Sequence, residues 1–170
     1  MFKALRKGKL DEVKGFMSQG CDIHRITEGD KWSHLHSAFM SPSVAPEKRT
    51  PLESIQFLID QGLDVNAVDS YGNTPLLYAV RQRNVDGMRL LLANGADRMI
   101  DHRNLDGIDA LKMAFDRKPT IYDVVKLLLN FGADPDAKQE VGCSVRELLQ
   151  IMVGVDPEVK ALIDQHASKS

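Results

Sequence analysis

The stretch DSYGNTPLLYAVRQRNVDGMRLLLANGADRMI, residues 69–100, reads as a turn, two short helices and a second turn. Asp69, Gly72 and Asn73 supply turn chemistry, since Gly takes positive φ freely and Asp and Asn hydrogen-bond their own backbone. Thr74 offers the side-chain oxygen of an N-cap, and Pro75 follows at the first helical position, where a missing N–H costs nothing. Leu76, Ala79 and Val80 then recur at i, i+3 and i+4, an apolar stripe about two turns long. Val85, Met88, Leu91 and Leu92 repeat that spacing, and Asn94 with Gly95 closes the second helix. Helices this short are marginal in water, so they must stack on copies of themselves.

The unit resembles an ankyrin repeat, a motif of about 33 residues with a turn, two antiparallel helices and a TPLH-like opening. The matching residues are Gly72, Thr74, Pro75, Leu76, Ala79, Leu91, Leu92, Gly95, Ala96 and Asp97. The match breaks at Leu77, where the family usually has a His that ties neighbouring repeats together. That tie must be absent or replaced.

The same pattern divides the whole chain into five units of one domain, at about 1–27, 28–68, 69–103, 104–138 and 139–170. The expected fold is an all-α ankyrin-repeat solenoid with short turn or hairpin loops and partial or degenerate end units. Residues 1–26 read as the second half of a unit. Ser33, His34, Leu35, His36 and Ala38 restate the opening of the second unit, with His36 at the tying position. An insert, PSVAPEKRTP at 42–51, separates that unit's helices, and its three prolines predict a projecting loop outside the core, with a binding or gating role. In the fourth unit Asp109 and Ala110 replace Thr and Pro. Extra residues fall at 118–121, before the outer stripe of Val124, Val125, Leu127, Leu128 and Leu129. Arg146 replaces a core leucine in the fifth, as suits a terminal cap. Gly72, Gly107 and Gly142 are each 35 residues apart, in phase with the stripes.

At 43% hydrophobic and 27% charged, the chain has the composition of a folded globular protein. A net charge of -2 gives no bulk attraction to nucleic acid or to an anionic membrane. The Lys3, Arg6, Lys7, Lys9 and Lys14 cluster is interrupted by Asp11 and Glu12 and reads as a solubilising cap. No apolar run approaches the ~20 residues of a membrane span, and no secretory h-region opens the chain, so the expected location is cytoplasmic. Cys21 and Cys143 fall at opposite ends of the array and read as free thiols.

His34 and His36 form an H-x-H pair, but residues two apart on a helix diverge, so no metal site is expected. No phosphate cradle or nucleophile–base pair accompanies them, and neither an enzyme nor a cofactor is expected. What remains is surface. The resemblance implies a monomeric protein-binding module that holds its partner in a concave groove formed by turn tips and inner helices. The register projects Trp32, Met40 and Ser41 onto that strip from the second unit, and Ser70, Tyr71, Asn73, Tyr78, Arg81 and Gln82 from the third. The fourth adds Leu105, Asp106, Ile108, Met113, Asp116 and Arg117. Trp, Tyr, Met and Arg are enriched at binding hot spots. The likeness extends to small bacterial ankyrin proteins, some of which serve as immunity proteins against a cognate toxin; the alternative it implies is a scaffold or regulator of a cellular or host target.

Overall fold

The computed structural model describes residues 1–40, 45–116, 121–138 and 143–166. Ser41, residues 42–44 of the insert, Arg117, residues 118–120, Gly142 with the three residues before it, and the tail from 167 lie outside them. Among the described residues the chain forms ten α-helices, two short 3₁₀ turns and no strand. The helices pair as α1 (Phe2–Leu5) with α2 (Leu10–Ser18), α3 (His34–Ala38) with α4 (Leu52–Asp60), and α5 (Pro75–Arg81) with α6 (Val85–Ala93). They continue as α7 (Ala110–Met113) with α8 (Tyr122–Asn130) and α9 (Val145–Ile151) with α10 (Pro157–Gln165). In the first of these pairs the inner helix, α1, has four residues.

Two rows result. The inner helices α3, α5 and α7 pack side by side, and α4, α6, α8 and α10 follow one another behind them. Every helix is too short to persist alone, and burial between the rows stabilises it. Leu35, Ile55, Leu58, Leu76, Met88, Leu91, Leu128 and Ile163 are fully buried there. Leu52, in helical register with Ile55 and Ile59, is nevertheless 42% exposed. It occupies the first position of α4, one residue after Pro51, and so lies off the buried face that Ile55 and Leu58 share.

Inner helices start on side-chain caps, as their sequences require. Ser33, Thr74, Asp109 and Ser144 each accept a hydrogen bond from the third helical N–H, and at Ser33 and Ser144 a reciprocal bond completes a capping box. Outer helices end at Gly20, Gly62, Gly95 and Gly132, all with positive φ. After Gly95 the chain makes a 3₁₀ turn, Ala96–Met99, in place of the Asp-centred turns that Asp22, Asp64 and Asp134 build with the N–H two residues on.

The tail of the insert is part of the fold, contrary to the sequence expectation. Pro46–Lys48 form a 3₁₀ turn, after which Arg49 Nη2 donates to the carbonyls of Gln82 (3.3 Å) and Arg83 (3.2 Å) at the C-terminal end of α5. Thr50 is buried and its hydroxyl donates to Ala38 O at 2.9 Å. A cation on carbonyls that lack helical partners is favourable, so the segment is anchored at its downstream end.

At the far end Arg146 pairs bidentately with Asp136 (Nε–Oδ1 2.8 Å, Nη2–Oδ2 3.0 Å) and donates to Ile163 O and His166 O. Its guanidinium thus binds the end of α10 to the preceding turn. The guanidinium that replaces a core leucine is thus paired on both sides.

Candidate functional site

The turns before α3, α5 and α7 rise beside one another and are cross-linked. Asp69 is 5% exposed and accepts four hydrogen bonds. Its Oδ1 takes Tyr71 N–H and Asn73 N–H, at 2.9 and 2.8 Å, and its Oδ2 takes Tyr78 O–H (2.7 Å) and Trp32 Nε1–H (3.1 Å). Four donors offset the cost of burying a carboxylate. Burial and the bond to Asp69 push the Tyr78 hydroxyl up to about 12, so it stays a donor. Tyr71 O–H reaches Asp30 Oδ1 at 2.8 Å, and Ser70 N–H donates to Asp30 O at 2.9 Å.

His36 makes the tie expected of it, with Nε2 donating to Asn73 O at 3.1 Å. That bond fixes the tautomer, leaving Nδ1 to accept from Ser33 N–H at 3.2 Å. Burial holds both His34 and His36 below the usual imidazole range. Where Leu77 lacks the family histidine, the next junction keeps two bonds that repeat the preceding one, Leu105 N–H to Tyr71 O (3.0 Å) and Asn104 Nδ2 to Asn73 Oδ1 (3.0 Å), and His102 Nε2 adds a bond to Gly72 O (2.9 Å) within the third unit. Asn104 is the fourth-unit counterpart of Asp69: its Oδ1 accepts from Asp106 N–H and Ile108 N–H in the same geometry.

These turns wall one side of a groove of about 440 Å³, and the inner helices form its floor. Most of the residues named from sequence line it: Trp32, Met40, Tyr71, Asn73, Tyr78, Arg81, Asp106, Ile108, Met113 and Asp116. Tyr71 is 51% exposed and Arg81 is exposed, its guanidinium 5.4 Å above the Tyr78 ring. Tyr78, Asn73 and Met113 are buried and offer only an edge to the groove. Ser70 and Leu105 stand exposed at the turns without lining it. Gln82 is 4% exposed, its carbonyl held by Arg49, so its placement on the accessible strip is corrected: it lies beneath the anchored insert. Arg117 lies outside the described residues. Asn104 lines the groove and was missed; its 35-residue offset from Asp69 was the available signal.

Among the described residues no three His, Cys, Asp or Glu are grouped to hold a metal ion, and no helix is long and apolar enough to cross a membrane. Both cysteines are unpaired. The groove therefore offers aromatic faces, a thioether edge and isolated charges, a set suited to contact with another macromolecule.

A family model described as ankyrin repeats in three copies matches residues 1–100 and 45–139. The chain is 31% identical over 151 residues to ankyrin repeat and SOCS box protein 6 of Pongo abelii, covering 78% of this chain and 34% of that protein. It is 31% identical over 166 residues to an ankyrin repeat protein of fowlpox virus, covering 94% of this chain and 22% of the relative. Over 135 residues it is 30% identical to an ankyrin repeat protein of Acanthamoeba polyphaga mimivirus, covering 75% and 21%. The chain thus spans about a third or less of the length of these relatives.

Proposed function

Because the chain belongs to the ankyrin-repeat family, whose members are protein-interaction modules, we propose that it is a non-enzymatic, monomeric, cytoplasmic binding protein that takes its partner in the groove over α3, α5 and α7. The observation that carries the reading is the groove itself: Trp32, Tyr71 and Arg81 from two successive units meet Ile108 and Asp116 of a third on one surface. Aromatic side chains give large contact area at low entropic cost, and Arg pairs bidentately with carboxylates. Prior anchoring of Trp32 to Asp69 and of Tyr71 to Asp30 reduces the cost of ordering them on binding.

The test is capture of a partner from the native cell, followed by affinity measurement with the double variant Tyr71→Ala, Arg81→Ala. A loss of about 2 kcal/mol or more, at nearly unchanged melting temperature, is expected of hot-spot residues. Equal affinity would move the site to another face. An immunity protein blocking a toxin domain is a finer reading that rests on resemblance alone. Capture of a toxic product of an adjacent gene would select it over a scaffold or regulator.

A further inference from the structure

Two non-glycine residues have left-handed backbone, Lys31 and Arg83, both at φ 55. Each stands where another unit has glycine. Lys31 lies two residues before the cap Ser33, as Gly72 lies two before Thr74 (φ 78) and Gly107 two before Asp109 (φ 72). Arg83 lies two residues before the start of α6, as Gly8 (φ 70) lies two before α2. The hydrogen bonds are the same. Gly8 N–H reaches Leu5 O and Lys9 N–H reaches Ala4 O, while Arg83 N–H reaches Val80 O and Asn84 N–H reaches Ala79 O.

Long side chains are strained in this conformation, which Gly adopts freely and Asn or Asp tolerate. Tolerance alone would therefore favour Gly, Asn or Asp at these positions. Both carry a cation. Neither side chain forms an ion pair among the described residues. Lys31 is exposed beside Trp32, and Arg83 lines a recess with Arg81, Met113 and Asp116, the last three of which also line the groove. Strain kept at a surface position points to a use outside the fold.

We infer that Lys31 and Arg83 are partner contacts and that the segment held in the groove is an acidic peptide, its carboxylates directed at the second and third units. Lys31, Arg81 and Arg83 set three cations along the second and third units against the two exposed acids of the fourth, Asp106 and Asp116, the latter sharing the recess of Arg81 and Arg83.

This rests on the groove reading, and the test separates the two. A display library of random peptides about twelve residues long is panned on the full chain, and selected peptides are measured against Lys31→Gly with Arg83→Gly and, separately, against Tyr71→Ala with Arg81→Ala. The expected result is enrichment in Asp and Glu, affinity that falls as salt rises, and at least a tenfold loss (~1.4 kcal/mol) with the glycine double variant, which melts at or above the parent. Peptides that need Tyr71 and Arg81 but bind the glycine variant equally, or show no acidic enrichment, would overturn this inference and leave the groove standing. Failure to select any peptide sensitive to Tyr71 and Arg81 would remove both. A lower melting temperature would show that the cations serve the fold, and tighter binding of a single-stranded oligonucleotide than of any peptide would also overturn the proposal.

Discussion

Asp69 concentrates more of the structure than any neighbouring side chain, because one buried carboxylate holds its own turn, the indole of the unit before and the phenol of the helix after. Asp69→Asn keeps shape and volume but replaces one acceptor oxygen by an N–H₂ group. At least one buried donor then loses its partner, and we expect a loss of about 2 kcal/mol or more in urea denaturation. The imidazoles of His34 and His36 give a pH signature of known sign. Both are held below their ordinary value of 6.5 by burial, so on acidification the unfolded chain binds protons first. Their contribution is complete above 6.5 and is lost as pH falls through the lower folded values. The melting temperature should therefore drop between about pH 7.5 and about pH 5.5. His34 Nε2 is buried without a hydrogen-bond partner and the ring stacks on Phe2 at 6.3 Å, so His34→Phe should melt no lower than the parent and flatten that drop. An unchanged slope would acquit His34. Asp109, raised by burial, contributes with the opposite sign, since its folded form binds the proton first as pH falls.

At the scale of the element, helix identity was legible and loop anchorage was not. The caps at Ser33, Thr74, Asp109 and Ser144 follow from chemistry within four residues, which sequence displays directly. The bond of Arg49 to the end of α5 spans more than thirty residues and leaves no periodic trace, so the prolines suggested a free loop where an anchored one exists. Arg49→Ala should lower stability by about 1–2 kcal/mol by leaving two carbonyls just past the end of α5 without a charged donor. An excision rejoining α3 to α4 should destabilise if it removes Arg49 and Thr50. Melting of the two variants side by side checks this, and an unperturbed excision would mean the anchor contributes nothing. For the groove, most of the lining residues could be projected from the register because repeats place equivalent positions on equivalent faces. Gln82 was misplaced because the segment covering it comes from outside its own unit.

At the scale of the whole molecule, each pair of helices leans on its neighbours, and Ala79, fully buried on α5 between α3 and α7, lies at the centre of that dependence. Ala79→Asp should unfold the array, because an unpartnered buried carboxylate costs several kcal/mol and no unit can persist without the next. Loss of helical circular dichroism at room temperature is the expected result, and cooperative melting near the parent temperature would contradict the packing. The junction between the third and fourth units repeats two bonds of the preceding one, Leu105 to Tyr71 as Ser70 to Asp30 and Asn104 to Asn73 as Asp69 to Trp32, with Leu77 in place of the histidine tie.

The chain's single tryptophan stands at the joint between its second and third units, half-buried, its indole N–H bonded to a carboxylate and one face turned to the groove. Its ultraviolet emission is therefore an intrinsic reporter whose signal comes from one known place. A red shift on denaturation tracks rupture of that joint in particular, while far-ultraviolet circular dichroism averages over every helix. Superposition of the two curves marks all-or-none melting, and divergence marks ends that fray before the middle gives way.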